Sequence, residues 1–141
     1  MRLREGGLVM TALVAIITVL VLLFYFWTGL TVGRMRGRHK IDAPAMIGHP
    51  EFERAVRVQM NTLEWIIIFL PGMWLCAAYV NPFVAAALGV IWIVGRYMYM
   101  QGYLEDPKER SMGFLIQMGA TAIALFGGLI GAVVSLFVGG G

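Results

Sequence analysis

Glu51-Phe52-Glu53-Arg54-Ala55-Val56-Arg57-Val58-Gln59-Met60-Asn61-Thr62-Leu63-Glu64-Trp65 runs straight into Ile66-Ile67-Ile68-Phe69-Leu70, with no turn residue between the charged half and the apolar half. Such a stretch reads as a helix entering a membrane with ionisable and amide side chains at its mouth. A charge at bilayer depth costs about 2.5–3.5 kcal/mol even on insertion-derived scales, so it must face protein or water and have a partner. At about 100° per residue, Arg57, Asn61 and Glu64 fall within one narrow arc, with Glu53 and Arg54 flanking it. Gln59 points to nearly the opposite side. One face of the helix is built to hold something polar, and a second face is available to a neighbouring subunit.

The rest of the chain agrees with a membrane setting. Its 141 residues are 60% hydrophobic and only 13% charged, which excludes an ordinary soluble domain. Residues 8–32, 83–103 and 112–138 are each apolar over the roughly 20 residues a span requires. Together with the polar-mouthed helix, 52–80, they predict an all-α, integral membrane four-helix bundle occupying 1–141 as one domain. The first run is too long for a signal peptide and lacks a small-residue cleavage site after it, so a retained helix is expected.

Charge placement suggests an orientation. Arg34, Arg36, Arg38 and Lys40 crowd the connection after the first span, and Lys108 and Arg110 the connection after the third. The tight Val80-Asn81-Pro82 turn carries no charge. By the positive-inside rule both basic connections are cytoplasmic. Arg2 and Arg4, beside Glu5, run against this assignment. Residues 34–40 also suit contact with anionic lipid headgroups, and no nucleic-acid partner is expected. The single Cys76 lies within a span and forms no intrachain disulfide. His39 and His49 lack metal-ligand spacing with Cys or carboxylates and read as loop residues, so no metal is expected.

Between the spans, the prolines and glycine of residues 42–50 mark a loop, and Glu51 and Glu53 after Pro50 complement a helix N-terminus. Pro71-Gly72 is expected to kink the second helix, and Asn81-Pro82 to make helices two and three antiparallel neighbours. Arg96, Tyr99 and Tyr103 repeat at i, i+3, i+7 on one face of helix three. Tyrosines there are common in membrane-interface belts. Arg96 among them favours a polar pocket, or a structural partner for Glu64. Gly127-x-x-x-Gly131 and Gly128-x-x-x-Ala132 offer small faces for close helix packing.

With these residues in place, Glu51-Phe52-Glu53-Arg54-x-x-Arg57-x-Gln59-x-Asn61-x-x-Glu64 and Arg96-x-x-Tyr99-x-Gln101-Gly102-Tyr103 resemble the MAPEG family, the membrane-associated proteins of eicosanoid and glutathione metabolism. The resemblance covers nearly the whole chain, including the Pro44…Gly48-His49-Pro50 loop. It implies a homotrimer of four-helix bundles, with glutathione between adjacent subunits near the cytoplasmic side. It further implies that Arg57, Asn61 and Glu64 bind glutathione, joined by Tyr99 and Tyr103 from helix three and by Arg36 from the loop. Gln59 would reach the glutathione of the neighbouring protomer, and Arg110 aligns with the arginine that faces the sulfur. Trp65 departs from the leukotriene-forming branch, which has a tyrosine there, and Gly37 replaces a second loop arginine. The resemblance therefore implies a general glutathione transferase or peroxidase rather than leukotriene synthesis.

The residue types suit that ligand independently. Glutathione carries two carboxylates and an ammonium, and Arg36, Arg57 and Glu64 supply the complementary charges while Asn61 serves amides. A thiol with a pKa near 8.5 needs a neighbouring cation to be a thiolate at neutral pH. The second substrate is expected to be a small hydrophobic electrophile arriving from the lipid. Two other classes compete. A proton-coupled exporter would use Glu64 as its proton site, but Arg54, Arg57 and Asn61 around it would hold the carboxylate charged. A non-enzymatic lipid- or glutathione-binding scaffold of the same fold would need no thiol-activating Arg110.

Overall fold

Proline and short polar side chains set where each helix starts. The structure, a computed structural model, describes residues 2–139; the side chains of residues 2–6, Arg2, Arg4 and Glu5 among them, lie outside the described ones. Helix α1 spans Arg2–Arg38, α2 Pro50–Tyr79, α3 Pro82–Glu105 and α4 Ser111–Val138, with a 3-10 turn at Pro107–Arg110 before α4. Pro50, Pro82 and Pro107 each open an element where their missing N–H costs nothing. Asn81 Oδ1 accepts from the amides of Phe83 and Val84 at 2.7 and 3.2 Å, and Asp106 Oδ1 accepts from Lys108 N at 3.0 Å. His49 caps α2 in the same manner.

All four helices are long and apolar enough to cross a membrane, and the chain is a multi-pass integral membrane protein. The structure corrects one boundary. The basic segment 34–38, expected in a connection, is the last turn of α1. At 1.5 Å per residue a 37-residue helix is about 55 Å long, well beyond the ~30 Å hydrocarbon core. Its basic end therefore projects into the headgroups or water, where Arg36 and Arg38 complement the helix dipole. α2 continues through Pro71 as one helix.

The core lies along the middle of the bundle. Val14, Ile17 and Val21 of α1 meet Ile66, Phe69, Met73 and Cys76 of α2, Leu88 and Trp92 of α3, and Ala120 and Ala124 of α4. Phe69 and Trp92 stack at 4.9 Å. The other faces carry exposed Ile, Leu, Val and Phe, such as Ile16, Leu23, Ile123 and Phe126, as a lipid-facing surface requires. Glycines let α4 come close to its neighbours. A Cβ on Gly113 would stand 2.2 Å from Tyr99 N, and one on Gly131 2.6 Å from Tyr79 O. Gly128 meets Leu75 and Cys76 of α2, whereas Gly127 has only Val80 at 4.0 Å. Of the two pairs read from the sequence, Gly127/Gly131 and Gly128/Ala132, one glycine of each, Gly131 and Gly128, meets α2 closely, and Gly127 does not. Gly113 holds α4 against the part of α3 that bears Tyr99.

Candidate active site

α2, α3 and the start of α4 converge on one cavity of about 420 Å³, lined by Arg57, Asn61, Tyr99, Arg110, Ser111, Phe114 and Leu115. Four residues singled out from sequence, on three separate elements, thus face one space. The chain brings them there by helical register on α2 and α3 and by the Asp106-capped turn, which sets Arg110 at the head of α4.

The polar wall is organised around a buried cation. Arg96 is fully buried. Its Nη1 donates to Asn61 Oδ1 at 2.9 Å and its Nη2 to Thr62 Oγ1 at 2.6 Å. Its guanidinium lies 4.2 Å from the centre of the Tyr99 ring. Because the Asn61 oxygen faces Arg96, its amide nitrogen faces the other way and donates to Glu64 Oε2 at 3.1 Å. Arg96 does not pair directly with Glu64; Asn61 stands between them. Thr62 Oγ1 also donates to Val58 O at 2.7 Å, fixing the acceptor that Arg96 uses.

Tyr99 and Phe114 add aromatic faces to the cavity. Tyr103 does not line it; it stacks on Tyr99 at 5.6 Å, and the Arg110 guanidinium sits 5.4 Å above its ring. Trp65 does not line the cavity itself; it packs edge-on against Phe114, which does, at 5.6 Å. Thr62, Ser111, Phe114 and Leu115 were not singled out from sequence. Phe114 had a legible signal, since it follows Arg110 by four residues and so shares its face. Ser111 and Leu115 had none beyond proximity.

Arg36 and Gln59 lie elsewhere. Arg36 donates to Ala45 O at 2.9 Å and Ile41 O at 3.4 Å, with its guanidinium 4.8 Å from the Phe52 ring centre. Gln59 lies against Gly29 of α1. Neither lines the cavity of its own chain. His39 and His49, read from sequence as plain loop residues, are brought together with Glu51, their ligand atoms within 4.8 Å of one another.

Chemically, the cavity offers two arginines, an amide held in one orientation and a carboxylate behind it, facing an apolar wall. That set suits an anionic, amide-containing ligand and an apolar co-substrate. Comparison with known proteins points the same way. Microsomal glutathione S-transferase 2 of Homo sapiens is 39% identical over 102 residues, covering 72% of this chain and 69% of that protein. Leukotriene C4 synthase of Cavia porcellus is 34% identical over 115 residues, 82% of this chain and 74% of that protein. An uncharacterised protein of Synechocystis, sll1147, is 40% identical over 116 residues, 82% of this chain and 85% of that protein. The MAPEG family profile matches residues 14–130, and this chain belongs to the MAPEG family.

Proposed function

We propose that the protein is a membrane glutathione transferase, with glutathione as co-substrate and small hydrophobic electrophiles as partners in the reaction; a peroxidase activity toward lipid hydroperoxides would use the same thiolate. The observation that carries this reading is the shared cavity of Arg57, Asn61, Tyr99 and Arg110 against Phe114 and Leu115. Arg57 engages a glutathione carboxylate and Glu64 the ammonium. Asn61, oriented by Arg96, meets the peptide amides. Arg110 stands beside the sulfur and favours its thiolate form. The thiolate attacks the electrophilic carbon of the co-substrate; the C–S bond forms and the leaving group departs with its electron pair. Phe114 and Leu115 provide an apolar surface for that co-substrate, with Trp65 packed against Phe114 from outside the cavity.

The assembly proposed is a homotrimer with the basic loops and the sites on the cytoplasmic side. Arg36 and Gln59 then complete the cavity of an adjacent subunit. Thermal stabilisation of the purified protein by glutathione, compared with oxidised glutathione, tests the ligand. Native mass measurement in mild detergent tests the assembly. A stable monomer that still binds glutathione with full affinity would refute the shared site.

A further inference from the structure

Outside the cavity, where the α1–α2 loop meets the head of α2, three metal-binding side chains gather. His39, His49 and Glu51 each offer one ligand atom, all within 4.8 Å of one another. His39 Nε2 lies 2.9 Å from Glu51 Oε2. The two imidazoles lie face to face, with centroids 3.6 Å apart and planes 13° apart. All three residues are partly exposed, so an ion can reach them from water. None of them lines the candidate active site.

We propose that His39, His49 and Glu51 form a site for a divalent first-row transition ion of the zinc type, clipping the α1–α2 loop to the start of α2. Two imidazoles and one carboxylate suit zinc, nickel or copper; calcium and magnesium demand more oxygens. Donors about 2.0–2.1 Å from a tetrahedral ion sit roughly 3.3 Å from each other, so the His39–Glu51 pair already has nearly the spacing required. All three ligand atoms lie within 4.8 Å of one another, and binding one ion requires the stacked His39 and His49 rings, now 13° from parallel, to tilt apart so that both lone pairs meet it. Three protein ligands leave the fourth position to water.

The backbone around the cluster is already fixed. Gly48 N donates to Glu53 Oε1 at 3.0 Å, and Arg36 holds Ala45 O from the end of α1. Three local interactions compete with the ion: the His39–Glu51 bond at 2.9 Å, whose proton the ion must displace, and two longer ones. His49 Nδ1 accepts from Glu51 N at 3.3 Å, a long capping bond. Arg38 lies 3.8 Å from Glu51 Oε2 with its side chain 68% exposed, free to swing into water. The clip would stiffen the loop against which Arg36 is braced.

The test is independent of the glutathione reading and uses glutathione-free protein. Chelator-stripped full chain in detergent is titrated with zinc chloride by calorimetry, with metal analysis after dialysis. The expected result is one ion per chain at micromolar affinity or better, together with a raised Tm. Magnesium should give neither. His39→Gln and Glu51→Gln should each weaken zinc binding at least tenfold. His49→Asn removes the ligand but keeps a strong helix cap, so it should fold normally without zinc and still bind the ion weakly. Buried Cys76 does not compete for it. Three outcomes would overturn the proposal: no zinc binding by the wild type at submillimolar concentration, unaltered binding by His49→Asn or His39→Gln, or a Tm that follows pH through the histidine range and ignores zinc.

Discussion

Arg96→Met tests whether the buried guanidinium serves the site or only the bundle. The substitution removes the bonds to Asn61 and Thr62, at 2.9 and 2.6 Å, and the contact with the Tyr99 ring at 4.2 Å. Hydrogen bonds to a charged group contribute about 1.5–3 kcal/mol each, but removing a buried ion also relieves a desolvation cost of several kcal/mol. Those terms oppose each other, so a folded variant with a modest change in stability is expected. The informative quantity is glutathione affinity. Without Arg96 the Asn61 amide is free to turn, and its bond to Glu64 at 3.1 Å is no longer enforced. Losing one such oriented contact costs about 1–2 kcal/mol, or five- to thirtyfold in Kd. Arg96→Lys keeps the charge without the fork that reaches both acceptors, so its Kd should fall between the two. Calorimetric titration of glutathione into monodisperse protein, run beside thermal unfolding, measures both effects. An Arg96→Met protein with wild-type Kd and only a shifted Tm would refute the positioning role.

The other predictions address the ligand contacts, the chemistry and the helix packing. Glu64→Gln, which keeps the shape and removes the charge facing the ammonium, should weaken glutathione binding by on the order of 1.5–3 kcal/mol in calorimetry, with little change in unfolding. Arg110→Leu should still bind glutathione, while the thiolate absorbance of the complex fades at neutral pH and returns only at higher pH. Turnover with a chlorodinitrobenzene should drop about ten- to a hundredfold, each pKa unit being worth about 1.4 kcal/mol. The sign is fixed because a nearby cation lowers the thiol pKa, so removing it moves the titration upward. Gly113→Ala places a methyl 2.2 Å from Tyr99 N, whereas Gly119→Ala meets nothing within 4 Å. The first should lose about 1–3 kcal/mol and lower the Tm, and the second should be near neutral.

Residues fixed by helical period were legible in the sequence. The common arc of Arg57, Asn61 and Glu64 needed only the 3.6-residue repeat and the cost of a charge in lipid, and the common face of Arg96, Tyr99 and Tyr103 the same repeat on α3. The ligand-binding roles of these residues came from the family resemblance, since interface tyrosines alone read as a membrane belt. What the repeat does not give is the partner across the bundle. Arg96 was on the expected face, but that it holds Asn61 rather than Glu64 depends on the relative rotation of α2 and α3. The same holds for Gly113, an unremarkable position in sequence that decides how closely α4 approaches Tyr99. The end of α1 was misplaced because Gly33 and Gly37 resemble a terminus, while arginines on α1 beyond the bilayer sustain the helix. His39 and His49 are separated by a proline-containing loop, and no spacing rule brings their rings together across it.

The placement of charge also supports the proposed assembly. Glu64 stands fourteen residues into α2, about 20 Å along its axis, yet it and Arg57 are exposed on the isolated chain. At that depth exposure to lipid would be costly, and a pocket open on one side needs covering. Arg36 and Gln59 sit against Phe52 and Gly29, on the side of α2 that meets α1. If Arg36 and Gln59 are the second half of the proposed site, a chain that carries the two halves on different faces cannot join them by folding on itself. Nor can it do so in a two-fold dimer that buries only one of those faces. A head-to-tail contact satisfies both, and such contacts end without unpaired faces only when they close into a ring. On this reading the polar mouth of α2 is stable in the membrane because a second copy covers it. Disrupting the contact at Gln59 should then weaken glutathione binding and assembly together.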